Sequence, residues 1–214
     1  MRDTYIEQLD ELSSLLSGLC SDVADALDRA TRALLESDLS LAQGAIDAVA
    51  VIDGQRRIAE SRAAQLLALQ APVATDLRVV VSVLHDTADL ERMASLVKHV
   101  AQAVHRRHPR CVVPREVVGY FGEMGRIAAG LARIVGEVIV SRDLVVAAGL
   151  DALDDAVDDL SRDVFGMLVG RDWGHGVSAA VDTTLLSRFY ERFADHAVSI
   201  GHRVVYVVTG RLPV

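Results

Sequence analysis

Two pairs of acidic residues, each spaced by four, have the types and spacing for chemistry in this 214-residue chain. Glu191 and Asp195 lie in the stretch from Leu185 to Ala197, and Asp154 and Asp158 lie in the acid-rich run from Asp151 to Asp163. On a helix, residues four apart stack one turn above the other, and two carboxylates so placed repel. Something positive must sit between them. Arg162, Arg188 or Arg192 could supply it, and so could a metal ion. Four carboxylates converging from two helices would make an all-oxygen site, suited to a hard divalent or trivalent cation. Taken singly, each pair reads as solvated helix surface, so both readings stay open.

The positions around these acids decide where they point. Leu185, Phe189, Phe193, Ile200 and Val204 fall in one narrow sector, predicted to be buried, with Glu191 and Asp195 opposite. Leu150, Leu153, Val157, Leu160 and Val164 form the matching stripe of the preceding helix. Asp154 and Asp158 flank that stripe and face a neighbouring helix, whereas Asp155, Asp159 and Asp163 point to solvent. His196, beside Asp195, is the histidine placed to support a ligand from behind. His85, His99 and His202 read as surface or core-edge residues. No Glu-x-x-His tetrad, His-Glu-x-x-His motif, P-loop or Gly-x-Ser-x-Gly elbow is present. The chain is therefore not read as an enzyme. The catalytic alternative is a metal-dependent hydrolase built on the four carboxylates.

The elements that must position these residues are all helical. Apolar spacing of three and four predicts helices over about 5–35, 39–69, 75–105, 114–141, 144–169 and 177–209, with no alternating β-branched runs. Asp38 or Ser40 is expected to cap the second and Thr75 or Asp76 the third. Pro114 suits the first turn of the fourth, and Gly210 ends the sixth. The halves repeat each other. Asp38-Leu39 matches Asp143-Leu144 and Asp53 matches Asp158 at one separation, and Leu90-Glu91-Arg92-Met93 matches Tyr190-Glu191-Arg192-Phe193 at a slightly shorter one. The expected architecture is all-α: two tandem three-helix bundles over residues 1–108 and 109–214, joined at the basic turn His105 to Arg110. In the first half Val49 and Ser95 stand where the second has Asp154 and Asp195, leaving only Asp53 and Glu91 as weak candidates there.

Composition narrows the function. A net charge of −8 argues against nucleic acid as the main partner. Cys20 and Cys111 have no Cys or His at metal spacing and read as reduced thiols of a cytosolic protein. The N-terminus carries Glu7, Asp10 and Glu11 where a signal peptide needs an apolar run, and no window is apolar enough to span a membrane.

Three motifs carry a resemblance. Asp76-Leu77-Arg78 after a Gln-Ala-Pro turn, Leu90-Glu91-Arg92-Met93, and Glu191-Arg192-Phe193-Ala194-Asp195-His196-Ala197 resemble the PhoU family, in particular its actinobacterial members, over nearly the whole chain. The resemblance implies a cytoplasmic regulator of phosphate uptake. It would stand between the ATPase of the phosphate ABC transporter and a phosphate-sensing histidine kinase, holding starvation signalling off when phosphate is plentiful. Several family members carry iron, zinc or another divalent ion, such as magnesium, on Glu/Asp-x-x-x-Asp motifs. Carried over, this lands on Asp154, Asp158, Glu191 and Asp195 in full, but only on Asp53 and Glu91 in the first half. Three readings are weighed: an adaptor with a modulatory metal, the hydrolase, and a metal-free helical scaffold. Ala- and Val-rich helix faces suit a homodimer.

Overall fold

Asp38 begins the second helix as its spacing predicts. Its carboxylate accepts from the amides of Ser40 (2.7 Å) and Leu41 (3.0 Å), two of the donors a helix start leaves unpaired. Asp143 repeats the device on Val145 (2.8 Å) and Val146 (3.2 Å). In this computed structural model, which describes residues 2–170 and 173–211, the helices are α1 (Arg2–Glu36), α2 (Leu39–Gln70), α3 (Ala74–Arg107), α4 (Arg115–Ser141), α5 (Leu144–Ala148), α6 (Leu150–Val169) and α7 (Gly176–Thr209).

Two local expectations need correction. The helix predicted over 144–169 is broken at Gly149, whose amide folds back on the Val146 carbonyl (3.1 Å), so α5 and α6 divide what the repeat writes as one helix. The third helix starts at Ala74 after an extended Val73 that makes no side-chain cap, ahead of Thr75 and Asp76. Thr75 instead accepts a bond from Arg78 (3.0 Å).

Helices α1, α2 and α3 pack on one another, as do α4, α6 and α7; α1 lies on α4 and α3 on α7, which fuses the two triplets. The two repeats thus share one continuous core, from Leu12 and Leu16 on α1 through Met93 on α3 to Phe121, Tyr190 and Phe193. The α1–α4 seam is tight because of a glycine. A Cβ built on Gly136 would sit 3.0 Å from the Ser17 carbonyl oxygen. In each repeat the outer helix, α2 or α6, rests against the third helix, α3 or α7. The acid pairs lie along those two contacts.

The apolar stripes hold except at Leu185, the first residue of its stripe, and at Leu153, which lies between the buried Leu150 and Val157. Phe193, Ile200 and Val204 are buried and Phe189 partly so, but Leu185 is 47% exposed and Leu153 37% exposed. Leu186 and Tyr190 take the inner positions instead. Asp155, Asp159 and Asp163 face solvent as predicted.

Candidate functional site

Asp154 and Asp158 of α6 lie within range of the charges of Glu191 and Asp195 on α7. Asp154 and Asp158 are half-buried, Glu191 is half-buried and Asp195 exposed. One carboxylate oxygen of Asp154 and one of Asp158 are shielded from solvent with no hydrogen-bond partner. Burial, then the charges of Asp195 and Asp158, push Asp154 up to about 6. Asp158 is raised too, by burial and then by Glu191 and Asp195. Each acid of α6 therefore feels the acids of α7, which places all four in one field of negative charge.

Not all of that charge is left unanswered. Arg188, one turn before Glu191, pairs with it directly. Ser161 on α6 shares a hydrogen bond with Ser187 on α7 (2.8 Å) and reaches Glu191 at 3.5 Å. Arg162 pairs with Asp159 on the solvent side (2.5 Å) rather than with the inner acids. Beside these residues runs an open groove of 360 Å³ walled by Phe165, Leu168 and Leu185. As the side chains stand, no three His, Cys, Asp or Glu groups among the described residues are gathered closely enough to hold a metal ion. The unpartnered oxygens of Asp154 and Asp158 nevertheless fit a cation, since a buried carboxylate oxygen without a donor is costly to leave so.

The first repeat answers the same problem differently. Asp53 and Glu91 stand on α2 and α3, and Arg56, only 8% exposed, lies between them. Its guanidinium donates to Asp53 from Nε (3.2 Å) and Nη2 (3.0 Å) and to Glu60 from Nη1 (2.9 Å), with Glu91 at 3.8 Å. Arg57 adds a bond to the other Asp53 oxygen (2.7 Å). Against the effect of burial, these two arginines hold Asp53 below the usual carboxylate range. Matching positions thus shift in opposite directions: Asp53 down, Asp158 up.

His196 does not support the acid groove. Its Nδ1 lies 2.7 Å from Asp89 on α3, so it belongs to the seam between the repeats. There Arg203 of α7 binds Asp86 and Asp89 together. A second tie comes from Arg78, whose Nε donates to the Val207 carbonyl near the end of α7 (3.1 Å), meeting one of the acceptors a helix end leaves open. His202 pairs with Asp151 (2.9 Å) at the rim. Arg56, Asp86, Asp89 and Arg203 escaped the sequence reading. The signal available for Arg56 was an arginine one turn after Asp53 where the second repeat has Ser161; the seam cluster leaves no such trace in the spacing.

Comparison with known proteins follows the same division. The model described as "PhoU domain" matches residues 16–104 and again 121–204. The chain is 51% identical over 213 residues to "Phosphate-specific transport system accessory protein PhoU homolog 2" of Mycobacterium tuberculosis, covering 100% of both chains. It is also 51% identical to PhoU homolog 1 of Mycobacterium leprae, covering 100% of this chain and 96% of that one. Among solved structures, the phosphate transport system regulatory protein PhoU of Streptococcus pneumoniae superposes with a TM-score of 0.87 at 24% identity, over 98% of this chain and 99% of that one. PhoU of Pseudomonas aeruginosa gives 0.85 at 23% identity, over 97% and 100%.

Proposed function

The chain belongs to the PhoU family, and from that premise we propose that it is an adaptor that links the ATPase of a phosphate ABC transporter to a phosphate-sensing histidine kinase and holds starvation signalling off while phosphate is plentiful. At the coarser level it is a phosphate-specific transport system accessory protein, of a regulatory rather than an enzymatic family. The observation that carries the finer reading is the end-to-end identity of 51% with a transport accessory protein, running through both repeats. The adaptor works in the cytoplasm, reaches the membrane only through its partners, and acts as a homodimer of two-repeat chains divided at about residue 108.

A cation enters this reading as a modulator. Asp154, Asp158, Glu191 and Asp195 would hold it, and two of their oxygens lack a donor. When bound, the ion supplies positive charge between α6 and α7 where the residues themselves leave mostly negative charge. The side chains then have one task, to hold the two helices together. A hard ion with oxygen preference, such as manganese, magnesium or iron, suits the donor set better than one that favours sulfur.

The test is capture of partners by tagged full-length protein from cells grown in high and in low phosphate, read by mass spectrometry. Recovery of a transporter ATPase or a sensor kinase is expected, with a yield that changes with phosphate. Recovery of neither under either condition would remove the adaptor reading.

A further inference from the structure

Asp53 and Glu91 are the acids of the first repeat that match Asp158 and Glu191 of the second, and between them the structure already holds a positive charge. Arg56 lies one turn beyond Asp53 on α2, and its matching position on α6 is Ser161. Only 8% of Arg56 is exposed. Its guanidinium touches Asp53 twice and Glu60 once, and faces Glu91 across the helix contact at 3.8 Å. Ser161 reaches the same neighbourhood in the second repeat with only a hydroxyl, shared with Ser187 and Glu191. That leaves Asp154 and Asp158 each with an unpartnered buried oxygen, whereas no acid of the first repeat is in that state among the described residues.

We propose that the Arg56 guanidinium is the built-in cation of the first repeat, standing between α2 and α3 in the place that a bound metal ion takes between α6 and α7. The residues present do not fit a metal in the first repeat. An ion entering between Asp53 and Glu91 would have to displace a planar, permanently charged group with several fixed donors, and would gain fewer carboxylates than the second repeat offers. Val49 and Ser95 remove two of the four ligands, and Arg56 satisfies those that remain. The consequence is functional asymmetry. The α2–α3 contact is closed at all times, and any response to a metal ion is confined to α6 and α7. The comparison between repeats rests on the cation reading of the second repeat, but the role of Arg56 can be tested apart from it.

The experiment uses the full chain with Mn²⁺ as the probe, read by thermal melting and by electron paramagnetic resonance of unbound Mn²⁺. Arg56→Ser is made alone and with Asp158→Asn, which disables the second-repeat acids. In chelator, Arg56→Ser is expected to melt lower by about 2–4 °C, because Asp53, Glu60 and Glu91, all partly exposed, lose the one buried guanidinium they share and are left to repel one another. Mn²⁺ is expected to restore part of that loss even with Asp158→Asn present, whereas Asp158→Asn alone shows no Mn²⁺ response. The reciprocal change, Ser161→Arg, is expected to raise the melting temperature in chelator and to abolish Mn²⁺ uptake by the second repeat. An Arg56→Ser protein that melts as the parent does would overturn the proposal. So would a Ser161→Arg protein with unchanged melting in chelator, which keeps the idea testable should Arg56→Ser fail to fold. A parent chain without any Mn²⁺ response, alongside an Arg56→Ser chain that gains one, would sink the cation reading of the second repeat and leave the role of Arg56 supported.

Discussion

Asp154 is the worst-placed carboxylate on α6. Its neighbours Asp155, Asp159 and Asp163 are solvated, while Asp154 is half-buried, faces Asp195, and has one oxygen without a donor. The spacing of four and the position beside the apolar stripe made its direction legible in the sequence. Which arginine answers which acid was not legible, because long side chains choose partners by three-dimensional distance: Arg188 goes to Glu191, Arg162 turns outward to Asp159, and Asp154 gets neither. Asp154→Asn should therefore stabilise the metal-free protein. In chelator a rise of roughly 2–4 °C is expected, what about 1 kcal/mol produces in a chain of this length once solvent screening is allowed for. In Mn²⁺ the order should reverse, with the parent melting higher. A differential scan in both buffers checks this, and an Asp154→Asn protein that melts lower in chelator counts against a repulsive site.

At the scale of elements, what the acids can do depends on how closely helices approach. Apolar spacing predicted the helix over 114–141, but not that Gly136 sits against backbone. Its absent Cβ leaves room for the Ser17 carbonyl at 3.0 Å and the Cys20 Cβ at 3.1 Å, and neither can swing away as a side-chain tip could. Gly136→Ala is expected to destabilise by about 1–3 kcal/mol through overpacking, less what alanine returns as a better helix former. Gly130→Ala on the same helix meets nothing within 4 Å and should stabilise by up to about 1 kcal/mol. Opposite signs in chemical denaturation would establish the seam, and equal effects would refute it. Leu185, 47% exposed, walls the groove beside the acids. A stripe at 3.6-residue spacing names the face that turns inward, while the reach of the neighbouring helix decides how far along the stripe is covered.

At the scale of the whole molecule, the repeats are held by charges inside their seam. Burial pushes Asp86 up to about 7, against the pull of the paired Arg203, and Asp89 adds to the rise. Asp89 itself is held low, against burial, by His196 and Arg203. Cys20 on α1 faces the same acid, and burial, then the Asp86 charge, raise its thiol. Because the folded-state value for Asp86 lies above that of an unfolded aspartate, the folded chain holds a proton that the unfolded chain releases between about pH 4 and 7. Its contribution is fully present at the acid end of that window and is lost as pH rises through 7. Asp154, also raised, acts in the same direction, whereas Asp53 and Asp89, held low, lose their contributions only below the usual carboxylate range. Melting temperature is thus expected to fall from pH 5 to pH 8, and Asp86→Asn should flatten much of that slope. A profile that Asp86→Asn leaves unchanged would show that the seam does not titrate through this residue.

The six-helix plan, the repeat, a cap at Asp38 or Ser40, and the turn of Asp154 and Asp158 toward a neighbouring helix could be read from the amino-acid order. All of these follow from spacing along one chain, and the geometry of a helix converts spacing into direction without further information. The tertiary structure decided the rest: the break at Gly149, the turn of His196 toward Asp89, the capture of Glu191 by Arg188, and the guanidinium of Arg56 between Asp53 and Glu91. Each depends on which residues of distant segments, or which of several nearby partners, end up within hydrogen-bond reach. For His196 and for Arg56 facing Glu91 only the packed arrangement of helices fixes that distance, whereas at Gly149 and Arg188 it is settled among local partners within one segment.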